Sequence, residues 1–302
     1  MQFSIFQESR RGARKSNQDR VAYCYSRSAL LMLVADGMGG HLHGELAAEI
    51  AAQFITREFQ REASPRLRDP AGFLRRALTG AHGAIVQRAA EDALAEVPRT
   101  TCVACVVQDG SAHWAHAGDS RLYHLREGRV LAQTRDHSLV QQLIDSGRMR
   151  AEAAPAHPER NRIYNCLGSA RPPKVDLSEA TPLLAGDVLL LCTDGLWGPL
   201  SAKLIGGAVQ KAGIMQSVPE LLDQAERRAG RECDNLSVIA MNWEEPAAPA
   251  RAPAAEIERA LADTVPIPVA GSNESEYLSD EEIERAIARI RNAIKGQSDD
   301  TT

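Results

Sequence analysis

The order in which strand-like and helix-like stretches follow one another constrains this chain most. Short apolar or β-branched runs bounded by Gly, Asp or Asn predict strands over 30–35, 101–107, 112–117, 121–125, 188–193 and 236–242. Helical periodicity and length predict helices over 44–60, 72–94, 139–146, 202–211 and 217–228. Two helices therefore stand side by side between the strand near residue 33 and the strands near 103–125, with hairpin-like turns at Asp109-Gly110 and Gly118-Asp119. A parallel doubly wound sheet needs strands and helices in regular alternation. This ordering instead points to an α+β chain, antiparallel sheets covered by helices.

Composition narrows the function. With 302 residues, 44% of them apolar, the chain can bury a sizeable core, but only 4% are aromatic, too few for a stacking platform on single-stranded nucleic acid. A net charge of -5 supplies no basic field for phosphate backbones, so nucleic acid is not an expected partner. The sequence has no 18-residue apolar run and does not open like a signal peptide, which predicts no membrane association and a cytoplasmic protein whose six cysteines are free thiols. The acidity is local: residues 244–302 hold 13 acidic and 6 basic side chains, whereas 1–243 carry 29 basic and 27 acidic. A Pro/Ala run over 246–253 marks the change, so the expected division is a folded domain over 1–243 and a linker with an acidic, partly helical tail over 244–302. Within that tail EIERALAD (256–263) is echoed by EIERAIAR (282–289), and Ser279 with Glu282 forms a capping box ahead of an isoleucine stripe at 283, 287, 290 and 294. Such a face is suited to docking a partner protein.

The chemistry lies in the aspartates. Asp36, Asp119, Asp194 and Asp234 each adjoin an apolar strand, in LLMLVADGMGG, HWAHAGDSRLY, DVLLLCTDGLW and ECDNLSVIAMN. One Asp-Gly after a strand is usually a turn. Four acids facing one cleft repel each other unless cations lie between them, and all-oxygen ligands favour Mg²⁺ or Mn²⁺ over Zn²⁺. A thiol phosphatase loop would place Arg six residues after its Cys; here those positions hold Leu30, Gln108, Ser111, Pro172, Gly198 and Ile239. There is also no Gly-Lys nucleotide loop and no Gly-x-Ser-x-Gly elbow.

In order along the chain, ARKSNQD, VADGMGGH, HAGDSRLY, TRDHS, HPERN with a following CLG, LLCTDGLW and CDNLSVI resemble the motif series of the type 2C metal-dependent serine/threonine protein phosphatases, bacterial branch. The resemblance implies a central sandwich of two antiparallel β-sheets flanked by helices, and hydrolysis of phosphoserine and phosphothreonine in proteins by a hydroxide bridging two Mn²⁺ or Mg²⁺ ions. By the same resemblance Asp36 bridges the ions, Gly37 contributes its backbone carbonyl, and Asp194 and Asp234 hold the pair from the other side. It gives Asp19 a water-mediated or supporting place, Asp119 a third, more weakly held ion, and Arg14 the substrate phosphate, for which an arginine fork is suited. The partners implied are phosphorylated proteins and a cognate Ser/Thr kinase.

This chain departs from the family at two places. Met38 stands where some members have a histidine two residues after the bridging aspartate, and His41 and His43 nearby open a helix instead. Arg99 replaces the glycine usual before the paired threonines. The segment 137–168 corresponds to a flap, in which His137 belongs to TRDHS and His157 is expected to be structural; Cys102 and Cys105 should point to opposite faces of a strand. A binding module that has lost turnover, and a protein whose main task is tail-mediated assembly, are the competing readings, and the retained Asp36, Asp194 and Asp234 weigh against the first.

Overall fold

The computed structural model describes residues 1–38 and 43–244; His41 and the tail segments predicted over 256–263 and 279–294 lie outside them. In chain order, β1 (Phe3–Arg10), β2 (Asp19–Tyr25) and β3 (Ala29–Met38) precede α1 (Gly44–Glu62) and α2 (Pro70–Glu91). Next come β4 (Arg99–Thr100), β5 (Cys102–Gln108), β6 (Ser111–Ala117), β7 (Arg121–Arg126), β8 (Arg129–Gln133) and α3 (Leu139–Asp145). The described chain closes with β9 (Asp176–Leu177), β10 (Thr181–Pro182), β11 (Val188–Cys192), α4 (Asp194–Trp197), α5 (Ala202–Ala229) and β12 (Leu236–Trp243).

These strands form two antiparallel sheets, one ordered β1-β12-β11-β7-β8 and the other β10-β6-β5-β3-β2, with β4 on β3 and β9 on β6. Side chains alternate across a strand, so a continuous apolar run serves two layers at once. In β3, Leu30, Met32 and Val34 enter the space between the sheets, whereas Leu31 and Leu33 pack against α1 and α2. In β11, Leu189 and Leu191 face inward and Leu190 and Cys192 face α5. Three apolar layers result, the helix-sheet-sheet-helix sandwich expected. Cys102 and Cys105 fall in different layers, and all six thiols are free and buried.

Asp109 and Gly110 both have positive φ, 51° and 71°, the two-residue turn that joins β5 to β6 as a hairpin. Gly118-Asp119 is not a hairpin: β6 and β7 belong to different sheets, so this turn carries the chain across the sandwich. The two helices expected over 202–211 and 217–228 are both present in α5, which is broken at Gly213, where φ of 68° and ψ of 171° are not helical. Ser138 caps α3, its Oγ accepting the Gln141 N–H at 3.2 Å.

Candidate metal centre

Strand register gathers the acids at one end of the sandwich. Asp19 opens β2 directly opposite Asp36 in β3. Val34 pairs with Val103 and Cys102 with Ala117, which brings the end of β6, and Asp119 beyond it, to the same edge. In the other sheet Cys192 pairs with Val238, so Asp194 after β11 and Asp234 before β12 leave that sheet together. Asp36, Asp119 and Asp194 each lie within the field of one another, and Asp36 also within that of Asp19 and Asp234.

The backbone at each acid is held by specific neighbours. Thr101 and Thr100 clamp Asp36: its N–H donates to Thr101 Oγ1 at 3.2 Å, and its carbonyl accepts the Thr101 N–H at 2.8 Å and the Thr100 hydroxyl at 2.9 Å. Arg99 pairs with Met38 in β4, so the replaced glycine leaves this ladder regular. Gly37 must be glycine for space, because a Cβ there would fall 2.3 Å from the Gly44 carbonyl oxygen at the start of α1. Thr193 donates its hydroxyl to Asp19 Oδ2 at 2.9 Å and accepts the Ser237 N–H at 3.0 Å, tying Asp19 to the strand end that bears Asp194. Asn235 binds the loop carrying Arg14: its Nδ2 donates to the carbonyls of Arg11 and Ser16 at 2.8 and 2.9 Å, and its Oδ1 accepts the Gln18 N–H at 2.8 Å. Arg14 itself donates from Nη2 to Asp234 Oδ2 at 2.6 Å and is otherwise largely exposed.

The electrostatics ask for cations. Burial, and then the neighbouring carboxylates, push Asp36 and Asp119 well above the ordinary carboxylate range. Burial followed by Asp234 raises Asp194, against the pull of Arg14 and the Gly195 N–H. Burial raises Asp19 too, despite its hydroxyl donors. Behind them Arg121 forks onto Asp136 at 2.8 and 2.7 Å with its guanidinium 3.6 Å from the Trp197 ring centroid, and partly offsets the charge on Asp119. Asp194 Oδ1 is buried and has no hydrogen-bond partner among the described residues. A carboxylate oxygen left so is costly, and a hard divalent cation would satisfy it. The set Asp36, Asp194 and Asp234, with the Gly37 carbonyl, offers oxygen alone and therefore fits Mn²⁺ or Mg²⁺.

Register and mutual fields bring Asp19, Asp36, Asp119, Asp194 and Asp234 to one end of the sandwich, Gly37 follows Asp36 in β3, and Arg14 joins them through Asp234. Sequence spacing does not single out Thr100, Thr101, Thr193 and Asn235, although each lies within or beside a motif string; Thr100, Thr101 and Asn235 fix backbone and Thr193 holds the Asp19 carboxylate, which no spacing rule reveals. His157 serves a local turn, its Nδ1 accepting the Glu159 N–H at 3.1 Å. His43 precedes α1 with φ 80° and gives no side-chain cap.

A family model described as Protein phosphatase 2C matches residues 7–232. The serine/threonine protein phosphatase PstP of Mycobacterium tuberculosis is 33% identical over 232 residues, 76% of this chain and 43% of that protein, so the chain spans less than half the length of this relative. Protein phosphatase PhpP of Streptococcus pneumoniae is 31% identical over 235 residues, 77% of this chain and 94% of its own. Among solved structures, the catalytic domain of a serine/threonine protein phosphatase PstP in complex with two manganese ions has a TM-score of 0.67 at 31% identity, over 80% of this chain and 97% of that chain.

Proposed function

Because the chain belongs to the protein phosphatase 2C family, we propose that it hydrolyses phosphoserine and phosphothreonine in proteins, water displacing the side-chain oxygen from phosphorus. The observation that carries this reading is the buried Asp194 Oδ1, without a hydrogen-bond partner among the described residues, within a crowd of raised carboxylates. Asp36, Asp194 and Asp234 hold two Mn²⁺ or Mg²⁺ ions, Gly37 adds its carbonyl, Asp19 supports the pair through Thr193, and Asp119 with Asp194 takes a weaker third ion. Bound there, two divalent ions supply Lewis acidity and a water acidified enough to act as nucleophile near neutral pH.

The chain's own groups do the rest. Arg14 is tethered by one nitrogen to Asp234, which leaves other donors of its fork to grip two oxygens of a substrate phosphate at the mouth of the cleft. The Asn235 hydrogen bonds keep its loop in register with the strand end. No thiol takes part: Cys24, Cys102, Cys105 and Cys192 are buried, and burial pushes each well above the ordinary thiol range. Phosphorylated proteins are the substrates and a Ser/Thr kinase the opposing enzyme. The 244–302 segment docks a partner protein, and the protein acts in the cytoplasm; no described helix is long and apolar enough to cross a membrane.

Phosphate release from a phosphothreonine peptide tests this, in Mn²⁺ and in excess chelator. The wild type should turn over only with the metal, and Asp36→Asn should lose at least about a hundredfold, roughly 3 kcal/mol of barrier. Metal-independent turnover would contradict the reading.

A further inference from the structure

Behind the Gly118-Asp119 turn, His116, His137 and Asp176 bring their ligand atoms within 4.8 Å of one another, a set of the composition that binds zinc. Their hydrogen bonds point to a different use. His116 gives its Nε2 proton to the Arg135 carbonyl at 2.8 Å. His137 Nδ1 receives the Gly118 N–H at 3.2 Å and an amide N–H of Asn165 at 2.7 Å. The Asn165 amide cannot be turned round, because its Oδ1 accepts the Lys174 N–H at 2.9 Å while Nδ2 donates to the Lys174 carbonyl at 2.8 Å. Two donors on Nδ1 assign the ring proton to Nε2, which donates to Asp176 Oδ2 at 3.1 Å. A nitrogen bearing that proton has no lone pair for a cation, and the Lys174 ammonium already holds Asp176 Oδ1 at 3.0 Å. The two imidazoles are stacked, centroids 4.6 Å apart and planes 16° from parallel.

We propose that His137 is a positioning residue for Asp119. One residue grips both ends of the Gly118 unit: the ring takes its N–H, and the backbone N–H of His137 donates to its carbonyl at 2.9 Å. Gly118 needs such a hold. Its φ is 119°, and a Cβ there would lie 2.5 Å from Thr101 Cβ, so the approach to Asp119 adopts a conformation closed to other residues. Through its own carbonyl His137 also accepts the Tyr164 N–H at 3.0 Å, which joins the Asp119 turn to the segment that returns along 163–167. The coupling to catalysis rests on the reading of Asp119 as an ion ligand.

The test compares wild type with His137→Leu, which removes the Nδ1 acceptor, and His137→Asn, whose Oδ1 can stand where Nδ1 stood. Two readouts are taken: hydrogen exchange of the Gly118 amide in metal-free protein, and the Mn²⁺ concentration giving half-maximal hydrolysis of p-nitrophenyl phosphate. His137→Leu should speed exchange and raise the Mn²⁺ requirement by about tenfold each, the size of one lost buried hydrogen bond, and His137→Asn should recover most of both. Calorimetry should still find two tight Mn²⁺ ions. Combined with Asp119→Ala, His137→Leu should add nothing to the Mn²⁺ requirement. Unchanged Gly118 exchange, or fully additive effects, would overturn the proposal. If Asp119→Ala alone leaves the Mn²⁺ curve unmoved, the ion reading fails, and Gly118 exchange by itself decides whether His137 holds the turn. His137→Gln, which keeps a polar end but drops the Nδ1 acceptor, replaces the leucine variant should that not fold.

Discussion

Asp194 begins α4 with one carboxylate oxygen buried and unpartnered among the described residues, while Asp234 beside it is matched by Arg14 and the Asn235 N–H. Removing the Asp194 charge therefore has two opposite consequences. Asp194→Asn should cut Mn²⁺-dependent turnover by at least about a hundredfold. In metal-free protein the same change removes one like charge from the cluster, so its melting temperature should equal or exceed that of metal-free wild type; a lower one would mean Asp194 is held by contacts other than ions. Asn235→Ala acts on position: it frees the loop over 11–18 from three hydrogen bonds, and should raise KM through a misplaced Arg14 more than it lowers kcat, read from steady-state kinetics. The aspartates were legible because acids at the ends of apolar strands are conspicuous. Asn235 was not, since its side chain's partners lie 217 to 224 residues away in sequence and are all backbone groups.

Elements joined by buried charge add a pH dependence. Asp187, wholly buried at the start of β11, receives the Arg126 fork at 2.6 and 2.7 Å, the Leu184 N–H at 2.9 Å and His124 at 2.9 Å. Burial pushes Asp187 up, but these donors outweigh it and hold the carboxyl below its ordinary value. The folded value is the lower one, so this stability is present above the unfolded value near 4 and is lost as pH falls through the folded value. Asp187→Asn should cost about 2 kcal/mol at pH 7, discounted for the exposed part of Arg126, and progressively less as pH falls below about 4, measured by urea unfolding. An equal cost at both pH values would show the ion pairs to be idle. At this scale the central strands could be read because each supplies two apolar layers. β1 and β2 escaped prediction: all eight residues of the edge strand β1 are half-buried and its end is charged, and β2 begins on the polar Asp-Arg. The turn at Gly118 reads as a hairpin because sequence gives no sign of which sheet the next strand joins.

For the molecule as a whole, the described sandwich is closed by β12, which lies between β1 and β11 and pairs with β1 up to Trp243, followed by the Glu244 N–H to the Gln2 carbonyl at 3.1 Å. A chain ending at Glu244 should keep kcat on p-nitrophenyl phosphate within about threefold, under roughly 0.7 kcal/mol of barrier, while turnover of a phosphoprotein substrate changes more. A large loss on the small substrate would place residues beyond 244 in the catalytic fold. The central claim, that the sandwich edge is built to hold two ions among Asp36, Asp194 and Asp234, is tested most directly by anomalous diffraction from crystals grown in Mn²⁺. Two peaks about 3.5–4 Å apart with Asp36 between them are the predicted result. A single peak at His116, His137 and Asp176 with none in the acidic cleft would contradict it.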